Sequence, residues 1–143
     1  MTEKQMYLSN NIFVQMYKII SKHPDYIFYK AIIIHKKYRQ AKEQNKHLLT
    51  LIYSMKANRI SSKYNLELYG KYGENLRIWH GNIILNGNCI IGNNVNVGFG
   101  SVIVGDVIIA DNITIGANSF VNKSFREEGV VIAGCPAKII GKK

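Results

Sequence analysis

His80 is the side chain whose type and setting could do chemistry. Imidazole is the natural general base near neutral pH, because its unperturbed pKa is about 6.5. A neighbouring carboxylate would hold the right tautomer. The ring could then take the proton of a hydroxyl attacking an acyl donor, while exposed backbone N–H groups stabilise the oxyanion. His80 lies in Trp79-His80-Gly81-Asn82. The other histidines, His23, His35 and His47, sit among lysines and carry no motif. The plainer reading of His80 is a corner residue that caps backbone or is merely solvated.

What must position His80 is a repeat of period six. Residues 85, 91, 97, 103, 109, 115 and 121 are Leu, Ile, Val, Ile, Ile, Ile and Val. Four residues after each come Cys89, Val95, Ser101, Val107, Ile113, Ser119 and Phe125, mostly small or aliphatic. Gly, Asn, Asp and Ala fill most positions between. An α-helix repeats its apolar face every 3.6 residues and a strand every 2, so period six with turn formers predicts a parallel β-helix of hexapeptides. Three hexapeptides make one coil, and coils stack about 4.8 Å apart. The predicted inward columns are Leu85–Ile103–Val121, Ile91–Ile109 and Val97–Ile115. Asn93-Asn94 and Asp111-Asn112 fall at corners, where Asn and Gly tolerate positive φ.

Residues 64–84 read as a first, less regular coil. Leu66, Tyr72 and Ile78 keep the period one residue out of phase, since Ile78 to Leu85 spans seven. One extra residue must bulge within 79–82, where His80 is, and bulges often lie beside active sites.

All twelve glycines lie at or after Gly70, and the chain before it reads as helix, roughly over 3–21, 25–44 and 46–58. Pro24-Asp25 is the start signal of the second helix. Residues 1–63 carry 12 Lys/Arg against 3 Asp/Glu, or +9, and residues 64–143 carry 7 against 6, or +1. The cluster Lys36, Lys37, Arg39, Lys42 and Lys46 could attract a polyanion. No recognised nucleic-acid motif accompanies it. A solvated basic face is the simpler account, with a membrane or acidic glycan second. The opening residues MTEKQMYLSNN lack a signal-peptide pattern, and no apolar run is long enough to span a bilayer. Two cysteines make no disulfide framework, and Cys89 takes a core position, so a reducing, cytoplasmic setting is expected.

Three passages carry a family resemblance: YNLELYGKYGENLRIWHGNIILNGNCIIGNN, IADNITIGANSFVNKSF and VIAGCPAKIIGKK. Together they make residues 64–143 similar to the hexapeptide-repeat acyltransferases, in particular the serine acetyltransferase-like branch, which includes O-acetyltransferases of capsule and other surface sugars. The resemblance implies a left-handed parallel β-helix over 64–127, of about three coils, preceded by an α-helical region over 1–63 and followed by a closing segment over 128–143. It implies a homotrimer with active sites between prisms, and acetyl-CoA as co-substrate. It makes His80 the general base and Glu67 the acid that orients it. Ser101, Ala117, Asn122, Lys123 and Lys138 take the positions that touch CoA. Related prisms can hold zinc through three histidines; this prism has one, so no metal is expected.

The expected function is therefore acetyl transfer to a hydroxyl of serine or a sugar. The run from Leu85 to Phe120 is six hexapeptides, one coil shorter than the family's usual run. That motivates the alternative of a coil-deleted, non-catalytic trimer that binds CoA or a partner.

Overall fold

A computed structural model describes residues 2–143. The chain forms two compact units, one ending at Tyr64 and one spanning Asn65–Lys143.

The first unit has four helices: α1 (Glu3–Leu8), α2 (Ile12–Ile20), α3 (Pro24–Glu43) and α4 (His47–Tyr64). The single helix expected over 3–21 is two. Ser9 closes α1 at φ 82°, and the Asn11 side chain accepts the N–H groups of Phe13 and Val14, starting a new helix. Local capping by the Ser-Asn-Asn stretch overrides the continuous apolar spacing. Pro24 opens α3 from an N-cap at His23. The last helix runs to Tyr64, beyond the expected 58. Phe28, Ala31, Ile32, Ala41 and Ala57 are buried. Lys36 reaches Glu3 at 2.7 Å and Lys18 reaches Asp25 at 2.7 Å.

The second unit is a left-handed parallel β-helix of about four turns. The first turn holds β1 (Leu66–Leu68), β2 (Lys71–Tyr72) and β3 (Arg77–Ile78). The second holds β4 (Ile83–Leu85), β5 (Ile90–Ile91) and β6 (Asn96–Val97). The third holds β7 (Val102–Ile103), β8 (Ile108–Ile109) and β9 (Thr114–Ile115). The fourth begins with β10 (Phe120–Val121), passes a bridge from Phe125 to Ile109, and ends in β11 (Val130–Gly134). β12 (Ala137–Lys142) returns antiparallel on β11. The first face is β1-β4-β7-β10, the second β2-β5-β8, and the third β3-β6-β9-β11-β12. Residues 128–143 thus complete the last turn of the third face.

The inward columns are as the period predicts. Leu85 pairs with Ile103 and Ile103 with Val121; Ile91 pairs with Ile109 and Val97 with Ile115. These residues, and the seven from Cys89 to Phe125, are buried. The count of about three coils becomes four because the first coil is a full turn and β11 completes a last one. The phase of that first coil also differs. Leu68, not Leu66, pairs with Leu85, and Tyr72 pairs with Ile91. The corner after Leu68 is two residues shorter than those after Leu85 and Ile103. It crosses close over Cys89, where a Cβ on Gly70 would collide with the Cys89 sulfur. The spacing from Leu66 to Tyr72 is therefore not a repeat step. The extra residue between Ile78 and Leu85 is present.

Candidate functional site at the edge between the third and first faces

The three edges of the prism are built differently. Between the second and third faces the corners form a hydrogen-bonded ladder. Asn75 Nδ2 donates to Asn94 Oδ1 at 2.9 Å, and Asn94 Nδ2 to Asn112 Oδ1 at 3.2 Å. Asn93 donates its backbone N–H and its Nδ2 to the Asp111 carboxylate at 2.7 and 3.0 Å. Those two bonds, the backbone one first, hold the Asp111 carboxyl below its ordinary pKa. This edge is structural.

The edge from the third face to the first carries His80. Two residues beyond Val97, Ile115 and Ile132 in the register come Phe99, Ala117 and Gly134, stacked at one corner, and two beyond Ile78 comes His80, in the first-coil corner that holds the extra residue. His80 and Ala117 are two coils apart, or about 10 Å along the axis. His80 is exposed and holds φ 71°. The other positive-φ positions described in the prism are Asn65, Asn75, Asn82, Asn94, Asn112, Asn118 and four glycines. His80 alone places another side chain there. Left-handed backbone disfavours most side chains, and such strain gathers at functional sites.

Two neighbours escaped the sequence reading. Trp79 is 46% exposed and Phe99 42% exposed, and the Arg77 guanidinium stacks 3.9 Å from the Trp79 ring centre. Their signal was present but faint: outward positions here are mostly polar, and these two are aromatic.

Glu67 points outward from β1, exposed, in register with Ile84. Ile83 donates its N–H to Asn65 O at 3.1 Å, so the His80 corner adjoins the start of β1. No hydrogen bond or ion pair joins Glu67 to His80 among the described residues. Ser101 is fully buried, and its hydroxyl donates to the Gly116 carbonyl at 2.9 Å. Ser119 donates to the same carbonyl at 2.7 Å and accepts the Gly134 N–H at 3.3 Å. The Ser101 hydroxyl therefore supports the Ala117 corner and is not offered to a ligand. Ala117 is exposed on the column. Lys138 is exposed on β12, one strand beyond β11, paired with Ala133 next to the β11–β12 turn. Asn122 and Lys123 are exposed but follow β10, so they lie at the other edge of the first face; Lys123 stands 5.5 Å over the Phe125 ring. The structure thus gathers His80, Ala117 and Lys138 on one edge, with Glu67 near its start, and leaves Asn122 and Lys123 apart. No cluster of three His, Cys, Asp or Glu able to hold a metal occurs among the described residues.

Comparison with known proteins agrees with this architecture. Residues 88–123 match the bacterial transferase hexapeptide family, six repeats. Among solved structures, the chain is similar to serine O-acetyltransferase from Brucella melitensis, with TM-score 0.61, 21% identity, and coverage of 80% of this chain and 55% of that one. It is similar to serine acetyltransferase from Brucella abortus in complex with coenzyme A, with TM-score 0.61, 20% identity, and coverage of 80% and 56%. Soybean serine acetyltransferase complexed with serine gives TM-score 0.57, 17% identity, and coverage of 80% and 58%. The chain therefore spans little more than half the length of these structures. No curated protein sequence matches it. These likenesses establish the fold: a hexapeptide-repeat prism of the kind serine acetyltransferases have.

Proposed function

We propose that the protein is an acetyl-CoA-dependent O-acetyltransferase whose acceptor is serine or a sugar hydroxyl. The observation that carries this reading is His80. It is exposed, held in left-handed backbone where the rest of the prism uses Asn or Gly, and set at the head of an edge that runs through Phe99 and Ala117 to Lys138. His80 removes the proton of the acceptor hydroxyl as its oxygen forms a bond to the acyl carbon. Corner N–H groups hold the oxyanion. The C–S bond then breaks, and His80 returns the proton to the thiolate. Lys138 offers its ammonium as a point charge to the phosphates of CoA. The flat faces of Trp79 and Phe99 shield the path from water. In this reading three chains associate, and a neighbouring prism closes the open side of the edge. Glu67 then orients His80 only on closure of the assembled site.

The test is free-thiol release from acetyl-CoA by wild type and His80→Asn, with serine and a panel of sugars. Release that needs both an acceptor and His80 is expected. The second reading, a prism that binds CoA or a partner without catalysis, draws on the lack of a hydrogen bond or ion pair between Glu67 and His80 among the described residues and on the shortened run of coils. No release with any acceptor from well-folded protein would favour it.

A further inference from the structure

We propose that the helical unit docks on an anionic phospholipid surface, with α2 lying in the interface and the groove beside it taking lipid phosphates. α2 is inside out. Its polar side chains face the protein: Gln15 donates to Ser9 O at 2.8 Å, and Lys18 donates to Tyr7 O and to Asp25, both at 2.7 Å. Its apolar ones face out, with Phe13 78%, Ile20 76% and Tyr17 64% exposed, and no residue of the helix is buried. α4 adds Leu48 at 71% and Met55 at 65% exposed. No described helix is long and apolar enough to cross a membrane, so these faces fit the boundary of a bilayer rather than its core.

The groove continues this surface. It encloses about 890 Å³ between α3 and α4, and Ile19 of α2 and Lys22 just beyond that helix line it. Lys22, Lys30, Lys37, Lys56, Arg59 and Lys63 border it, and no Asp or Glu does. Ile27, Ile33, Ile34 and Ile60 supply an aliphatic lining. Tyr53 and Tyr64 lie under Lys56 and Lys63 at 5.6 and 5.5 Å, the aromatic-and-basic mixture favoured at headgroup level. A second copy would bring the same six cations and repel. An acidic glycan matches the charge and leaves the aliphatic faces uncovered. A phospholipid surface satisfies both, through buried apolar area and through attraction of Lys and Arg to anionic headgroups.

The experiment is co-sedimentation of the full chain with vesicles of phosphatidylcholine, with and without phosphatidylglycerol, over a range of salt. Two double variants accompany wild type, Phe13→Ser/Ile20→Ser and Lys56→Glu/Arg59→Glu, all four positions being exposed; circular dichroism checks their helicity. Wild type is expected to bind only the anionic vesicles and to detach as salt rises. Each folded variant is expected to bind about tenfold more weakly or worse. Absence of binding at low salt, equal binding to neutral vesicles, or unchanged binding by either folded variant would overturn the proposal. So would capture of a soluble acidic polysaccharide in place of vesicles.

Discussion

At the scale of single residues, two histidines have opposite fates. His80 is exposed in left-handed backbone, a conformation that Asn adopts at six other described prism positions. His80→Asn should therefore keep or raise stability by up to about 1 kcal/mol, since Asn tolerates the geometry better. It should also abolish acceptor-dependent thiol release. Thermal melts and the thiol assay check the two halves, and a variant that loses stability would mean the imidazole is a structural cap. His35 is buried, and its Nε2 lies 3.1 Å from Ser61 Oγ. Burial, and then Arg39, lower its pKa from 6.5 to about 4. The unfolded chain therefore takes up a proton first as the pH falls. The stability this contributes is whole above about pH 6.5 and is lost progressively towards pH 4, roughly 3 kcal/mol in all. Melting followed by helical circular dichroism should show that slope, and His35→Gln should flatten it. Nothing in the sequence set His35 apart from His23 and His47, because burial arises from the packing of α3 on α4.

At the scale of elements, the prism's edges differ in how they are built. Asn94 holds φ 55° and bonds both Asn75 and Asn112. Asn94→Ala should cost about 2 kcal/mol, from left-handed strain plus lost side-chain bonds, and leave thiol release unchanged. At the His80 edge, just before Phe99, a Cβ on Gly98 would stand 2.5 Å from the Ala117 N and 2.8 Å from its Cα. Backbone cannot yield as a flexible side chain does, so Gly98→Ala should destabilise by about 1–3 kcal/mol. It should also raise KM for acetyl-CoA by moving the Ala117 corner. Denaturant unfolding and steady-state kinetics distinguish the two variants. The regular coils were legible in the sequence because every sixth residue must fill the same column. The first coil was not, because the short corner over Cys89 shifts the phase by an amount that Leu66 and Tyr72 happen to disguise. The break between α1 and α2 was hidden likewise, since Ser9 and Asn11 act through local hydrogen bonds that periodicity does not register.

At the scale of the whole molecule, the proposed site needs company. No hydrogen bond or ion pair joins His80 to Glu67 among the described residues, so the transferase reading expects light scattering to give three times the 16.2 kDa chain mass. A monomer active in the thiol assay would remove the need for a neighbouring prism. The charge division, +9 in residues 1–63 against +1 in the rest, was plain from composition, but its meaning was not. A basic helix reads as a solvated face until the structure shows six cations bordering one groove without a carboxylate. By itself the sequence determined the prism, because period six admits one inward direction per repeat, and it placed an extra residue before Leu85, in the corner that holds His80. Only the tertiary structure decided which corners stack. That choice joins His80, Phe99, Ala117 and Lys138 on one edge, sends Asn122 and Lys123 to another, and turns the Ser101 hydroxyl into the core. The reason is that partners a coil apart in sequence become neighbours only through the register, and one short corner is enough to reset it.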